Sequence, residues 1–264
     1  MVWNAFGPIS AAMEFAFGWT ISDLSMQTMW GTVTFVIFVF PFGWLLEKIG
    51  LNQLVRIMAS LIFLGAGSRV LKITNPGFLA FAHIGSILNG IAGAIVMSAP
   101  SALSAAWFPP NERMISTCIS QACAFLGSGL SFLSGPAMVS QPNSTMIDMK
   151  FNTNNSTGVD ETKEEIRKYM VVQALLAFIF GVMTIYFPEK PPTPPSASAS
   201  VVKTRFRTGL WELAKNPDAW GCAFAYAIPG GTLLAWQVGV DFFDHRVLPK
   251  TKRKNYTSLV VIII

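Results

Sequence analysis

Gly43-Trp44-Leu45-Leu46-Glu47-Lys48-Ile49-Gly50, followed shortly by Arg56, is a small island of charge between two long apolar runs. Pro41 and Phe42 close the first run and Leu51 opens the second. A chain with such flanks leaves a bilayer, reverses within a few residues and re-enters it. Gly43 and Gly50 supply the backbone freedom and close helix approach that the reversal needs. The Glu47 carboxylate suits a helix N-terminus or a basic partner at the membrane face. The stretch therefore predicts two antiparallel spanning helices joined by a short polar hinge.

The rest of the chain agrees with a membrane setting. Its 264 residues are 52% hydrophobic and only 12% charged, where a soluble domain carries about 25% charge, and its mean hydropathy is +0.48. Cys118, Cys123 and Cys222 all lie in apolar runs and read as small packing residues, with no disulfide or metal-ligand spacing. The net charge of +5 comes from residues scattered through loops that flank spans, which the positive-inside rule explains without nucleic acid. The composition predicts an all-α membrane protein with the lipid bilayer as its partner and no cofactor.

A spanning helix needs about 20 apolar residues. Val2 to Phe17 is a short first run interrupted at Gly7-Pro8, and Ser22 to Leu46 is the second, with Thr20 or Ser22 as N-cap before Asp23. Leu51 to Ile73 is the third, Phe78 to Phe108 the fourth, Arg113 to Val139 the fifth and Tyr169 to Phe187 the sixth. Residues 188–217 are a Pro/Ser-rich linker that cannot bury a core, with a short surface helix at Trp211-Glu212-Leu213-Ala214-Lys215. Residues 218–243 form a seventh span, and 244–264 a basic tail. The expected organisation is a bundle over 1–187, the linker over 188–217, one further helix over 218–243 and the tail over 244–264.

Lys48, Arg56, Arg113, Lys190, Lys203, Arg205, Arg207 and Lys215 fall in the loops after spans two, four and six, which makes those loops cytosolic. The loop after span five then faces the lumen or the outside. It holds the glycosylation acceptors Asn143, Asn154 and Asn155, in agreement with the charge rule. Gly85, Asn89 and Gly93, with Ser86, Gly90 and Ala94 beside them, form a small-residue stripe that lets helices approach closely, as do Cys123, Gly127, Ser131 and Gly135. Glu14, Arg69, His83 and Asn89 are polar residues within or near spans, where each is a candidate for function. Glu14 and His83 are the candidates for proton coupling, histidine being suited to titration near neutral pH.

The spacing of Gly43, Glu47, Lys48 and Gly50 resembles the signature between spans two and three of the major facilitator superfamily. The paired basic residues usual after the second glycine are Leu51 and Asn52 here, so Arg56 is the nearest cation. Gly127 to Pro136 resembles the superfamily's glycine-proline signature of span five. Further stretches, Val2-Trp3-Asn4-Ala5-Phe6-Gly7-Pro8-Ile9-Ser10, Phe17-Gly18-Trp19, Ala105 to Arg113 and Tyr226-Ala227-Ile228-Pro229-Gly230-Gly231, resemble the heme, choline and vitamin transporter family. That family contains the feline leukemia virus subgroup C receptors and the disrupted in renal carcinoma branch, to which the likeness is greatest.

The resemblance implies a partial twelve-span fold: the N-terminal six-helix bundle, its first span shortened, plus a seventh span from the C-terminal bundle. It implies a secondary active transporter that moves a small organic solute by alternating access. The solute would be a choline-like or ethanolamine-like amine, heme, or a vitamin such as pyridoxine. Trp3, Asn4 and Tyr226 would bind it, and Gly43, Glu47, Lys48, Gly50, Arg56 and Arg113 would gate it. The missing C-terminal bundle or a second copy would complete the carrier. The branch implies a lysosomal membrane, with the plasma membrane as the alternative. A seven-span receptor or a non-transporting scaffold, as a truncated isoform, is the competing reading, although no Asp-Arg-Tyr or Asn-Pro-x-x-Tyr element supports a receptor. No Ser/His dyad, paired intramembrane aspartates or metal cluster suggests an enzyme.

Overall fold

The structure, a computed structural model, describes residues 2, 4–71, 75–140, 142, 157–186, 188 and 206–247, without the side chains of 75, 76, 157 and 233–247. The described residues fall into two compact units, Met1–Ser200 and Val201–Ile264. Trp3 and the three glycosylation acceptors lie outside the described residues, as does the tail beyond 247.

The first unit opens with a single 3-10 turn at Gly7–Ile9, then α1 (Ser10–Phe17). The expected interruption at Gly7-Pro8 thus leaves Val2 and the residues 4–6 outside any helix. Gly18 ends α1 in the left-handed region, φ 69° and ψ 26°, its N–H bonding the Glu14 carbonyl at 3.0 Å. The next helix, α2 (Ile21–Ser68), starts with a reciprocal cap in which Thr20 Oγ1 accepts from the Asp23 N–H at 3.2 Å. The Asp23 carboxylate in turn accepts from the Thr20 N–H at 2.9 Å.

Helical hydrogen bonding runs through the whole predicted hinge. Only Gly50 leaves the helical region, at φ 79° and ψ 169°, and the reversal is made there. The expected polar loop is therefore a one-residue kink between arms of 21–49 and 51–68. A straight helix would separate Gln27 and Arg69 by about 60 Å, yet both bond the same hydroxyl, that of Ser86, at 2.6 and 3.0 Å. The arms of α2 are thus antiparallel.

Against both arms packs α3 (Asn75–Trp107). Here the small-residue stripe does what its spacing predicts. A Cβ placed on Gly85 would lie 2.6 Å from the Gly65 carbonyl oxygen, and one on Gly90 would run into Thr34 and Gly31. Near the kink, Phe42 and Leu54 from the two arms share a buried cluster with Ala94 and Ile95.

Two more long helices complete this unit, α4 (Arg113–Met138) and α5 (Thr157–Ile185). The latter begins well before the expected Tyr169. Its added turns carry acidic residues first and basic residues later, with ion pairs Asp160–Lys163 at 3.8 Å and Glu164–Arg167 at 3.0 Å, which favour helix outside the apolar run. At the end of the unit opposite the kink, Phe6, Ile9, Met13, Trp19, Phe78, Tyr169 and Met170 form the larger buried cluster.

Among the described residues, four helices are long and apolar enough to cross a membrane: α2, most of α3, α4 and most of α5. Their outward faces carry large apolar side chains such as Ile37, Phe40, Phe125, Leu133, Phe180 and Met183. The cysteines correct the sequence reading. All three are exposed, because Cys118 and Cys123 lie on the outward face of α4, away from the Ser131–Gly135 end that packs on Pro8 and Ile9. The second unit contains α6 (Phe206–Lys215) and α7 (Pro217–Val247), parted at Asn216-Pro217.

Candidate functional site

Val2 and the non-helical residues 4–6 lie between two polar networks. On one side the Val2 carbonyl accepts from Arg69 Nη1 at 2.9 Å. Arg69 is 3% exposed and sits 4.9 Å from the Phe6 ring centroid. Its Nη2 donates to Ser86 Oγ at 3.0 Å, and Ser86 donates to Gln27 Oε1 at 2.6 Å. Gln27 Nε2 lies 3.2 Å from His83 Nδ1, which also accepts from Trp30 Nε1 at 3.0 Å. Gln27, Gly31, Arg69, Ser86 and Asn89 line a small polar notch there. No described carboxylate lies within ion-pair distance of Arg69, so backbone, hydroxyl and aromatic groups surround a buried cation.

On the other side, Asn4 Nδ2 donates to Ser128 Oγ at 2.7 Å. Ser131 Oγ donates to the Asn4 carbonyl at 3.1 Å and lies 3.4 Å from the Tyr169 hydroxyl. One turn further along the buried face of α5, Gln173 is 2% exposed with both amide atoms lacking a hydrogen-bond partner among the described residues. A buried amide normally finds partners, so a polar group is accommodated at this depth without being used by the fold.

These contacts place the sequence candidates. Asn4 is the polar residue by which the opened first span grips α4. His83 belongs to the Arg69 network, and its tautomer follows from the donors: indole N–H only donates, so Nδ1 is the lone-pair nitrogen and Nε2 carries the proton of the neutral ring. Glu14 is exposed on α1. Tyr226 is 80% exposed on α7, in the second unit. At the kink, Gly43 is helical, Glu47 and Lys48 are exposed, and Lys48 Nζ sits 5.7 Å over the Trp44 ring. Arg56 reaches across to α5, donating to the Ile185 carbonyl at 3.0 Å, and Arg113 Nε donates to the Phe108 carbonyl at 3.1 Å. Both arginines thus satisfy carbonyls at helix ends. Sequence reasoning passed over Gln27, Ser128, Tyr169 and Gln173. The two glutamines within apolar runs were the available signal.

A sequence profile described as Major Facilitator Superfamily matches residues 1–251. The chain belongs to the Major Facilitator Superfamily. It is similar to the solute carrier family 49 member 4 homolog of Xenopus laevis, 35% identical over 242 residues that make up 91% of this chain and 52% of that protein. It is also similar to the choline/ethanolamine transporter FLVCR1 of Mus musculus, 27% identical over 235 residues, 81% of this chain and 39% of the other. The choline/ethanolamine transporter flvcr2a of Danio rerio is 30% identical over 213 residues, 78% of this chain and 39% of the other. The chain spans about half the length of the first of these relatives. Both the superfamily and the narrower resemblance agree with what the motifs implied. In superfamily terms, the signature between spans two and three is the α2 kink, and the protein is an integral membrane protein.

Proposed function

We propose that the protein contributes the first bundle of a secondary active carrier that moves a small amine across a membrane by alternating access. The observation that carries this reading is the opened first span. Non-helical backbone at membrane depth is tolerated only where it lines a cavity or is buried in protein, and in carriers it marks the substrate site. Here that stretch includes Asn4, with Ser128, Ser131 and Tyr169 beside it. The names of two relatives, which specify choline and ethanolamine, support an amine over heme or a vitamin.

In this reading Trp3 and Tyr226 offer aromatic faces to the ammonium group, each contributing about 0.5–2 kcal/mol, and Asn4 orients a hydroxyl or amine. Glu14 and His83 are the coupling candidates. The six residues at the α2 kink and helix ends, Gly43, Glu47, Lys48, Gly50, Arg56 and Arg113, act in gating. The second bundle comes from further chain or from a second copy. The membrane proposed is the lysosomal one implied by the resemblance of the motifs, with the plasma membrane as the alternative, and microscopy against organelle markers tests this.

The test of the site uses a chain that carries both bundles. Trp3→Ala and Tyr226→Ala should each weaken choline uptake about tenfold, equivalent to about 1.4 kcal/mol, at unchanged abundance in the membrane. Unaltered uptake in both variants removes these residues from the site and turns attention to Glu14 and His83.

A further inference from the structure

Arg69 is the C-cap residue of α2, 3% exposed, and its Nε has no acceptor among the described residues. A guanidinium that served only to staple helices would be a costly choice, since well-packed apolar groups in place of buried charge are often neutral or stabilising. Its side chain crosses α3 at Gly85, where a Cβ would lie 2.9 Å from Nε. The glycine leaves open the lane by which the guanidinium reaches the first segment.

What Arg69 meets there is a carbonyl that a helix would satisfy differently. Were the first span wound as an α-helix, the Val2 carbonyl would accept from the Phe6 N–H, four residues on, and the Asn4 carbonyl from residue 8. Residue 8 is Pro8, which has no N–H. The Asn4 carbonyl therefore needs an outside donor in either form, and Ser131 Oγ supplies it at 3.1 Å. The Val2 carbonyl has a choice, and Arg69 Nη1 decides it at 2.9 Å. Without that donor, rewinding onto the Phe6 N–H is the way to satisfy the carbonyl inside an apolar bundle. The rigid fork of the guanidinium ties this carbonyl to Ser86 Oγ, 3.0 Å from Nη2, with the Phe6 ring centroid 4.9 Å from the guanidinium carbon. Asn4 sits between these anchors with its amide on Ser128 at 2.7 Å, so a helical turn from Val2 to Phe6 would carry it away from its place on α4.

We propose that Arg69 is a positioning residue for solute recognition: it supplies the donor that keeps the first span unwound and thereby fixes where Asn4 stands. It touches no solute itself and acts through Asn4. This role rests on the reading of Asn4 as a solute contact.

Uptake of choline by a chain that carries both bundles tests it. Arg69→Lys keeps the charge and loses the fork, and Arg69→Gln keeps amide donors without the charge; either is read alone if the other does not reach the membrane. Each should raise the KM about tenfold, as Asn4→Ala should, with the maximal rate per transporter within about twofold of the parent. Arg69→Lys combined with Asn4→Ala should raise the KM no further than Asn4→Ala alone, whereas its effect and that of Tyr226→Ala, in the other unit, should multiply. An unchanged KM for the Arg69 variants, or failure of both to reach the membrane, would overturn the proposal and leave a purely structural residue. So would effects of Arg69→Lys and Asn4→Ala that multiply, because Arg69 would then act by another route. If Asn4→Ala itself leaves the KM unchanged, the reading of the site fails, and the positioning role with it.

Discussion

Ser86 holds the two arms of α2 together, because its hydroxyl accepts from Arg69 and donates to Gln27 within a region that excludes water. Removing it strands a guanidinium donor and an amide acceptor, and a buried group left without its partner costs about 1–3 kcal/mol. Ser86→Ala should therefore lower the thermal unfolding midpoint in detergent by an amount corresponding to that range. Ser60→Ala makes the control, since its exposed hydroxyl bonds the Arg56 carbonyl one turn back, and it should stay within about 0.5 kcal/mol of the parent. Equal midpoints for the two variants would show that the network carries no stability. Only part of this site was legible in the sequence. His83, Arg69 and Asn89 stood out as polar residues in apolar runs, and Asn4 through its motif. Their partners did not, because a serine within a small-residue stripe looks like packing, and which hydroxyl meets which amide is decided by how the arms fold over α3.

At the scale of elements, two glycines with positive φ do different work and should respond differently to substitution. Gly18 ends α1 at φ 69° and ψ 26°, a left-handed conformation that asparagine also adopts at modest cost. Gly50 kinks α2 at φ 79° and ψ 169°, a region that is essentially glycine's alone and costs other residues about 1–3 kcal/mol. Gly18→Asn should fold with nearly unchanged thermal stability, whereas Gly50→Asn should lose as much as Gly50→Ala. Rescue of the kink by asparagine would mean that the backbone there relaxes into the left-handed well. The hinge was the most legible element of the fold because charge and glycine interrupt two apolar runs at one place. Its form was less so. Periodicity marks where apolar character stops, not where helical hydrogen bonding stops, so a loop was expected where a single residue turns the chain. The same limit explains α5, whose ion-paired turns outside the apolar run were read as loop.

For the whole molecule, the charge rule and the three sequons make the same statement about orientation. Loss of a glycosidase-sensitive mobility shift in the double variant Asn154→Gln, Asn155→Gln would bear out a lumenal or outer loop after α4. A shift that disappears only with Asn255→Gln, which removes the acceptor triplet Asn255-Tyr256-Thr257 of the tail, would reverse the topology. The superfamily and the long apolar helices α2 to α5 could be read from composition and motifs, while the solute could not, since the aromatic and polar groups proposed to bind it suit many small amines. The completeness of the carrier is a separate question with a physical answer. Alternating access requires one bundle to rock against another around a shared site. The described part of this chain supplies one bundle and, as a separate unit, α6 and α7, over about half the length of the solute carrier family 49 relative. The face of α4 bearing Phe125, Leu126, Leu130 and Leu133, each more than half exposed, remains without a protein partner among the described residues. Purified and reconstituted by itself, the 264-residue chain should therefore bind bilayers yet show no saturable uptake of choline. Robust uptake by reconstituted monomers would overturn the half-carrier reading, whereas uptake confined to crosslinked dimers would identify a second copy as the missing half.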